Sequence, residues 1–501
     1  MLVVAMLSSG HAWSAPNIQA DIVIWEATPS GIIAAIAAAN ERHRVILVTA
    51  YKHVGGMRTS GLSMPNLTVR ETFGGLGREF HARVLQYYIS TYGQGSRQVK
   101  ECDNGFFFEP HVAEKVFLDW LLDAGVEVLS EEYIISVQKK GSTITSINTN
   151  KNRRVSGKVF IDASYEGDLL AMAGASYDVG RDSREKYGEK LAGMTFPPEK
   201  EGMSSDKIQR YVYRVVLTDS VENQIPIQKP ANYHRATFMI DAATFDSSPP
   251  GSLSKLLSLN KVPNRKTDVR VGEGWIGGSH YWPESTPMER GVMAHEHREY
   301  AQGYLWFLLN DRSVPQNVRN ELSKWGYAGD EFVDNGYWPY QLYVREARRL
   351  IGEYVMTEHD ILKNRFKPDA VAIGCYMLDV HPVQYVLVPG EARGLYSKNT
   401  LVREGGVAHP IKPYEISFRS MLPKRSEVNN LLVSVCVSSS HLAFSTIRME
   451  PVYMMFGHAA GLAASMSLDQ RDQSIGVHEI STKELRARLV KQGAVIDARS
   501  F

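Results

Sequence analysis

The chain has 501 residues, of which 44% are hydrophobic and 22% charged, and its 56 Lys and Arg residues nearly balance 55 Asp and Glu residues for a formal charge of +1. This composition is typical of a globular protein with two or three domains and excludes disordered, collagen-like and coiled-coil chains. The lack of a basic excess argues against nucleic acid as a partner. No stretch has the ~18 uncharged apolar residues of a transmembrane helix, so we predict no membrane span.

Residues 1–20 run from a short apolar stretch to small residues. This order predicts a secretory signal with cleavage near Ser14 or Ala15, although no Lys or Arg precedes the apolar stretch. A signal would make the protein secreted or periplasmic. The alternatives, a disordered N-terminus, an apolar strand extension or a wrongly assigned start of the chain, would leave it cytoplasmic.

The cysteines predict neither a disulfide framework nor a metal site. There are three, Cys102, Cys375 and Cys436, and none belongs to a C-x-x-C motif or to a Cys/His cluster with zinc spacing. We expect them to be buried apolar side chains.

Residues 21–49 carry the clearest local pattern. An apolar strand over 21–25 leads through a tight turn to an alanine-rich helix over 31–40 and a second strand over 44–49. This is the βαβ unit of a dinucleotide-binding fold, but Glu26 and Thr28 stand at the first two glycine positions of its fingerprint, and only Gly31 remains. Thr49 replaces the acid that would hold a ribose hydroxyl. A plain α/β crossover is therefore the alternative.

Two glycine-dense segments follow, at residues 53–62 and 73–80. Glycines let the backbone lie against a flat ligand, and the alternative is a pair of surface turns. Apolar residues at spacings of three and four predict a helix over 112–122. Further strands are predicted over 126–129, 133–137, 143–147 and 158–162. The last strand ends at Asp162, which is either a ligand-site acid at the carboxyl end of a strand or a helix N-cap.

Residues 181–400 are rich in Tyr, Trp, Pro and Arg, with one helix near 291–309. Aromatic walls with polar anchoring groups are typical of a substrate site, so we predict an inserted mixed α+β substrate domain. An aromatic core with an exposed charged helix is the alternative. The further candidates for substrate contact in this segment are His280, Tyr281, Arg345, Glu346 and His381.

The last hundred residues return to an α/β pattern. A near-continuous apolar strand is predicted over 430–437 and a long apolar helix over 450–464, with Pro451 in its first turn. Unpaired N–H groups at that helix start favour an electron-rich ligand. Because both ends of the chain have α/β patterns, we predict one discontinuous Rossmann-like domain, made of residues 21–180 and 401–501 and interrupted by the insertion.

Seven segments together resemble the FAD-dependent oxidoreductases related to fumarate reductase and glutathione reductase, a family that includes members labelled putative xanthan lyases. They keep the family order over nearly the whole chain, and the ordered set is more specific than any one of them. The segments are DIVIWEATPSGIIAAIAAA, HVGGMRTSGL, FGGLGREF, VFIDASYEGDL, YVREARRLIGEYVMT, PYEISFRSMLPK and VSSSHLAFSTIRMEPVYMMFGHAAGLAA. The resemblance implies bound FAD, a small-molecule substrate and an electron acceptor that the sequence does not identify.

The resemblance also implies cofactor contacts. The phosphate loop would consist of Thr28, Pro29, Ser30 and Gly31, and Thr49 would face the ribose. The residues beside the ribityl chain and flavin would be Gly55, Gly56, Met57 and Thr59. The residues that close over the adenosine side would be Ala163, Ser164, Gly167 and Asp168. Residues 438–450 would bring the last helix to the pyrimidine edge of the flavin.

Glu26 and Thr49 depart from the family pattern, which has Gly and an acid there. A carboxylate close to two phosphates repels them unless it points away or is protonated. We therefore expect either weakened FAD binding or a Glu26 side chain that is directed to the interior.

A flavin exchanges hydride at N5 and needs an acid or base for the accompanying proton. His441, between the last strand and the last helix, is the predicted acid/base, and Arg448 the predicted anchor for a substrate or the flavin, with Glu450 as its partner. A structural hydrogen bond and a structural Arg–Glu pair are the alternatives. Related flavoproteins can attach FAD covalently through a His, but the spacing from His53 to the Gly55-Gly56 pair is too short for that pattern, so the resemblance implies non-covalent FAD.

The predicted function is hydride transfer between FAD and a small sugar, alcohol or organic acid. Two other classes stay open. One is a carbohydrate lyase that works by acid/base elimination on the same fold, and the other is a cofactor-free, non-catalytic protein.

Overall fold

The computed structural model describes residues 17–193, 201–388, 400–469 and 476–501. Residues 1–16, which hold most of the predicted signal, lie outside the described residues. The helices are α1 Pro29–Asn40, α2 Gly75–Tyr92, α3 Arg97–Glu101, α4 Pro110–Asp123, α5 Asp168–Met172, α6 Arg184–Tyr187, α7 Met239–Ser247, α8 Pro287–Asn310, α9 Gln316–Leu322, α10 Glu358–Leu362, α11 His441–Ile447, α12 Glu450–Leu468 and α13 Thr482–Lys491.

The strands belong to several sheets of different type. In chain order they are β1 Asn17–Gln19, β2 Ile22–Trp25, β3 Val45–Val48, β4 Glu127–Leu129, β5 Ile134–Lys140, β6 Thr143–Thr149, β7 Arg154–Ser156, β8 Val159–Asp162, β9 Tyr177–Asp178, β10 Arg214–Thr218, β11 Gln224–Ile225, β12 Ser258–Val262, β13 Lys266–Arg270, β14 Gly326–Ala328, β15 Arg349–Leu350, β16 Ala370–Gly374, β17 Leu378–Val380, β18 Gln384–Val388, β19 Thr400–Glu404, β20 Val407–His409, β21 Tyr414–Ser417 and β22 Leu431–Val433.

A five-stranded parallel sheet in the order β22-β8-β2-β3-β4 forms the centre of the molecule. Every residue of β2, β3, β8 and β22 is buried, as expected for parallel strands with both faces covered. Because β22 comes from the last part of the chain and lies beside β8, the sheet is formed by two segments that are far apart in the sequence. The predicted α/β fold with a discontinuous Rossmann-like domain is confirmed.

The strand predicted over 430–437 is shorter than expected, since β22 ends at Val433. Beyond it, the Cys436 carbonyl accepts from the Leu350 N–H, and the Ser438 N–H donates to the Ser420 carbonyl. Backbone groups in this segment therefore leave the sheet and bond to β15 and to the turn at Ser420.

Helix α12 packs directly against α1, and small residues make this possible. A Cβ at Gly457 would lie 2.2 Å from the Ser30 carbonyl oxygen, and one at Gly461 would lie 2.4 Å from the Ala34 carbonyl oxygen. The helix axes can approach this closely only where the side chain is absent. The contact places the second turn of α12 at the phosphate-type turn before α1.

The glycine segment at 73–80 is not a ligand-facing loop, because α2 begins at Gly75. A Cβ at Gly77 would lie 2.4 Å from the Phe73 ring and 3.3 Å from Met454. These glycines therefore serve the packing of α2 against α12, and the prediction of a loop there is wrong.

The insertion is built on an antiparallel sheet in the order β11-β14-β10-β13-β12, accompanied by α7, α8 and α9. Three ladders, β16 with β21, β17 with β20 and β18 with β19, join strands on either side of residue 400. The predicted cysteine environment is confirmed, since all three thiols are buried and free. None of the described helices combines the length and apolarity needed to cross a membrane.

Candidate active and cofactor sites

The turn between β2 and α1 keeps the tight geometry of a phosphate-binding turn. Thr28 caps α1, accepting from the Gly31 N–H at 3.3 Å and donating to the Ala163 carbonyl at 2.7 Å. Pro29 occupies the first turn of the helix, and a Cβ at Gly31 would lie 2.0 Å from the Glu26 carbonyl oxygen. Ser30 is turned toward β22, where it bonds to Ser434. Only Gly31 is required by this close approach.

Glu26 does not point at the start of α1. Its Oε2 accepts from the Thr49 hydroxyl at 2.7 Å and its Oε1 accepts from the Ala50 N–H at 2.9 Å. Burial raises the pKa of Glu26 to about 8, although these two hydrogen bonds act in the opposite direction. The side chain is thus directed toward the end of β3, one of the two outcomes expected from the sequence.

Gly55 and Gly56 both have positive φ, at 97° and 52°, which favours glycine at this turn. The next N–H, that of Met57, donates to the Tyr165 hydroxyl at 3.0 Å, and that hydroxyl donates to Glu450 Oε1 at 2.6 Å. Tyr165 therefore spans the gap between the glycine turn and the start of α12. Thr59 is turned inward and donates to the Val54 carbonyl.

The segment after β8 is organised by two acids. Asp162 accepts from the Ser164 N–H and hydroxyl and from the Leu170 N–H, a capping role for α5, and burial raises its pKa to about 6. Gly167 takes the left-handed conformation ahead of α5. Asp168 is paired with Arg290 in bidentate geometry at 2.7 and 2.8 Å, and Arg348 adds a third bond at 2.8 Å.

A cavity of about 330 Å³ opens where β2 and β3 end, and we call it the strand-end cavity. Its walls are aromatic and its charged groups are mostly carboxyls. It is lined by Trp25, Glu26, Ala50, Tyr51, Tyr133, Glu166, Asp168, Trp282, Pro287, Arg290, Gly291, Ala294, Tyr340, Gln341 and Leu342. The Trp25 Nε1 is buried and has no hydrogen-bond partner among the described residues. Predicted residue Asp168 lines this cavity, and predicted residue Thr49 adjoins it through Glu26.

A second cavity of about 330 Å³ lies between the insertion and the residues just ahead of α12, and we call it the arginine cavity. It is lined by Met64, Asn66, Arg214, Ser258, Asn260, Arg270, Tyr343, Arg345, Tyr376, Asp379, His381, Arg448 and Met449. Four guanidinium groups and one carboxylate therefore face one small space. Arg214 and Arg270 are paired with Asp268 and Glu273, which lie outside the lining. A guanidinium group that is left without such a partner favours an anionic ligand.

Arg448 and Arg345 differ in how their charges are compensated. Arg448 donates to Asp379 Oδ2 at 3.0 Å and to the Tyr343 hydroxyl at 3.2 Å, so the predicted pair with Glu450 is not formed. Arg345 makes no ion pair with any described residue and donates to the Arg210 carbonyl at 2.6 Å. Burial, with the charges of Arg210 and Arg448, holds its pKa well below the usual value.

His381 is fixed on both ring nitrogens inside the arginine cavity. Nδ1 lies 3.0 Å from Arg210 Nη2, a donor, and Nε2 lies 3.1 Å from Asp379 Oδ2, an acceptor. Burial, with Arg345 nearby, holds the pKa of His381 well below the usual value, so the ring is neutral. This pattern assigns the proton to Nε2, facing Asp379.

His441 is buried and lies outside the linings of both cavities. Its Nδ1 is 2.8 Å from Glu346 Oε2, and its backbone N–H donates to Asp182. Burial acts to raise the pKa of Glu346, but the charges of His441 and Arg349 outweigh it and lower this pKa to about 2. His441 is therefore one residue removed from the arginine cavity, since Glu346 follows Arg345 in the chain.

The remaining candidates are dispersed. Tyr281 is 81% exposed, and His280 is half-buried. His53 is held by Glu114 and Asp334 and stacks on Tyr340 with the ring centroids 3.6 Å apart. None of the three lines the arginine cavity.

Sequence reasoning missed several residues of the arginine cavity. Asp379 and Tyr343 orient Arg448, and Arg214 is held against Asp268 in bidentate geometry. They come from separate strands and loops and form no local motif. The Arg-rich and Tyr-rich composition of the insertion was the only signal.

The family model described as FAD dependent oxidoreductase matches residues 21–489. The chain belongs to this family. FAD is therefore its cofactor, and the oxidoreductase resemblance read from the seven segments is confirmed. No curated protein matches the chain.

The chain also resembles several solved structures at low sequence identity. BexE, described in connection with oxidation during BE-7585A biosynthesis, is 12% identical, with a TM-score of 0.29 over 50% of this chain and 43% of that one. OxyS anhydrotetracycline hydroxylase from Streptomyces rimosus is 10% identical, with a TM-score of 0.27 over 50% and 45%. Thioredoxin reductase of T. acidophilum is 16% identical, with a TM-score of 0.19 over 34% and 40%. The matched part is less than half of each of these three chains.

The described residues suit FAD at its adenosine end. The strand-end cavity offers aromatic faces, a carboxyl group on Glu26 and an unpartnered donor on Trp25, which match a flat base and a ribose. At the other end, Glu450 Oε2 is buried without a partner, and a Cβ at Gly56 would lie 2.4 Å from the Tyr165 hydroxyl. Tyr165 therefore fills the space beside Gly56 and Met57, the residues that would hold the flavin end of the cofactor.

Proposed function

We propose that the chain transfers a hydride between non-covalent FAD and a small organic acid that binds in the arginine cavity. The observation that carries this proposal is the buried Arg345 guanidinium, the one of the four in the cavity lining that has no ion pair with a described residue. Sugars and simple alcohols, the other predicted substrate classes, present no anion to this group. A carboxylate accepts paired N–H donors from a guanidinium in matching geometry.

Arg345 and Arg448 are the proposed anchors of the substrate. Arg345 is a buried cation without a carboxylate partner among the described residues, so an incoming carboxylate would remove an unfavourable uncompensated charge. Arg448 is held in place by Asp379 and Tyr343. An anchor of fixed orientation loses little side-chain entropy when it binds.

FAD, when bound, takes up or gives back the hydride at N5. For a hydroxy acid undergoing oxidation, the C–H bond supplies that hydride and a C=O bond forms. The O–H proton passes to His381 Nδ1, which exchanges its contact with Arg210 for the substrate hydroxyl. His381 is neutral and can accept a proton, and Asp379 orients the ring and stabilises the cation that results. The reverse reaction returns the same proton.

His441 is proposed to act as a positioning residue through Glu346. Its contact with Glu346 holds the loop that carries Arg345, because Glu346 also accepts from the Gln209 N–H. We expect His381→Asn to lower kcat by about 10²- to 10⁴-fold. His441→Gln should mainly raise KM for the acid. If His441→Gln lowers kcat more than His381→Asn does, His441 and not His381 is the proton acceptor.

An anaerobic bleaching screen tests the function directly. Purified yellow protein is mixed with 2-hydroxy acids and with their primary amides, which keep the shape of the acid and lose its charge. Loss of flavin absorbance with the acids alone supports the proposal. Equal bleaching by acid and amide, or bleaching only by neutral sugars, contradicts it.

The same screen separates the two other functional classes. A lyase would release unsaturated product, seen by its ultraviolet absorbance, while the flavin stays oxidised. A non-catalytic protein would be colourless and would fail to take up FAD.

A further inference from the structure

Glu26 and Thr49, the two departures from the dinucleotide-binding pattern, contact each other although 23 residues separate them. The Thr49 hydroxyl and the Ala50 N–H each donate to one oxygen of the Glu26 carboxyl, at 2.7 and 2.9 Å. The carboxyl group therefore lies at the carboxyl end of β3. In an ordinary dinucleotide-binding fold, the acid at the end of that strand binds a ribose hydroxyl from the same place.

Glu26 keeps this position with a backbone conformation that suits glycine. Its φ is 75°, in the left-handed region that other residues rarely adopt. The turn is nevertheless tight, because the Glu26 carbonyl oxygen would lie 2.0 Å from a Cβ at Gly31. The turn thus has the geometry of its glycine-containing counterpart with a carboxyl side chain added. Backbone strain of this kind concentrates at ligand sites.

The surroundings of Glu26 suit a nucleoside. Glu26 lines the strand-end cavity with Tyr51, Tyr133 and Tyr340, and Trp25 Nε1 is a buried donor without a partner among the described residues. Glu26 forms no ion pair with a described residue, and the nearby Arg290 is already paired with Asp168. The group is therefore free to accept from hydroxyls of a ligand.

We propose that Glu26 holds the ribose in the adenosine half of FAD and so replaces the acid that position 49 lacks. The proposal rests on FAD as the cofactor and is independent of the substrate. Each carboxyl oxygen accepts one hydrogen bond from Thr49 or Ala50, which leaves the protonated group one acceptor position and one O–H donor for the ribose hydroxyls. Because burial, aided by Glu166 and Asp168, raises the pKa of Glu26 to about 8, the group is uncharged near neutral pH and does not repel the diphosphate.

Binding of FAD to the apoprotein, followed by quenching of flavin fluorescence, tests this assignment. Glu26→Gly should weaken FAD about 10- to 100-fold, the loss expected for hydrogen bonds to such a group. The double variant Glu26→Gly/Thr49→Glu, which moves the acid to its ordinary position, should recover most of that loss. Glu26→Gln, which keeps one acceptor oxygen, should lose less than Glu26→Gly.

Competition with ADP and 2′-deoxy-ADP shows whether the ribose is the group recognised. Wild type should prefer ADP, and Glu26→Gly should lose that preference. FAD binding to Glu26→Gly that is unchanged or tighter, or an ADP preference that survives the substitution, overturns the proposal. A wild-type chain that binds neither FAD nor ADP overturns the FAD dependence itself, together with this proposal.

Glu131→Gly is the matched control. Glu131 is also a glutamate with positive φ, 57°, but it is exposed and does not line the strand-end cavity. The same relief of backbone strain and the same loss of a carboxyl group should leave FAD and ADP binding unchanged. Thermal unfolding by circular dichroism confirms that each variant is folded before its affinity is compared.

Discussion

The strand-end cavity and the arginine cavity have similar volumes and opposite chemistry. In the first, Arg290 is neutralised by Asp168, and the uncommitted polar groups are the Glu26 carboxyl and the Trp25 indole N–H. In the second, Arg345 is a cation without a counter-ion among the described residues. The two cavities therefore differ in the polar groups that lack a partner, and these groups indicate different ligands. The strand-end cavity suits hydroxyls and a flat ring, and the arginine cavity suits a carboxylate.

The first prediction disrupts the arginine cavity alone. Arg345→Met keeps much of the side-chain volume and removes the charge, and should lower kcat/KM for the acid about 100-fold, the loss of a charge-assisted pair of hydrogen bonds. The Kd for FAD should stay within about threefold, because the strand-end cavity is unchanged. Steady-state kinetics and fluorescence titration measure the two quantities.

Arg312→Met provides the control for Arg345→Met, since Arg312 is exposed. It should change neither quantity. An Arg345→Met protein that loses FAD affinity as strongly as turnover would show that the two cavities are not independent.

The second prediction affects both cavities through the helix contact they share. Gly457→Ala places a Cβ 2.2 Å from the Ser30 carbonyl oxygen, so α12 must move away from α1. Overpacking of this type costs about 1–3 kcal/mol in the free energy of unfolding. We expect a lower Tm, weaker FAD binding and a higher KM together. Gly251→Ala, where a Cβ meets nothing within 4 Å, should leave all three unchanged, and an unchanged Tm for Gly457→Ala would contradict the packing argument.

The third prediction concerns the pH dependence of stability and tests the strand-end cavity alone. The pKa of Glu26 is raised from 4.5 to about 8 in the folded chain. Between these values the unfolded chain releases the proton and the folded chain keeps it, so the stability contributed by protonated Glu26 is present below pH 4.5 and is lost as pH rises toward 8. Glu26→Gln removes this dependence.

The measurement is the Tm of ligand-free protein between pH 5 and pH 8. The Tm of Glu26→Gln should rise relative to wild type as pH increases across this range. A constant difference would mean that Glu26 does not titrate there. Arg345→Met should not alter the wild-type slope in this window, which separates the two cavities once more.

Local patterns predicted the elements around the central sheet well. The strands at β2, β3 and β8, the helix α1 and the long helix α12 were each expected from apolar runs and small residues, because these patterns reflect burial on a sheet or against a helix. The glycine segment before α2 was misread, since glycine permits both a ligand contact and close helix packing. The strand at 430–437 was overextended, because apolar composition cannot tell which neighbour receives the backbone hydrogen bonds.

The candidate sites were predicted unevenly for the same reason. Phosphate-turn and glycine-turn residues lie close together in the chain and form motifs, whereas the arginine cavity joins Arg214, Arg345, Asp379 and Arg448 from separate elements. His441 was chosen for its place beside the last helix. Its contact with Glu346 depends on how the insertion folds back, and no spacing in the chain encodes that.

Ordered motifs and apolar periodicity predicted the family, the FAD cofactor and the discontinuous α/β domain, because such patterns are properties of neighbouring residues. Tertiary structure alone decided where Glu26 points and which arginines share a cavity. Those outcomes depend on contacts between residues 23 to more than 200 positions apart. Such contacts are settled only when the sheet, the helices and the insertion pack together.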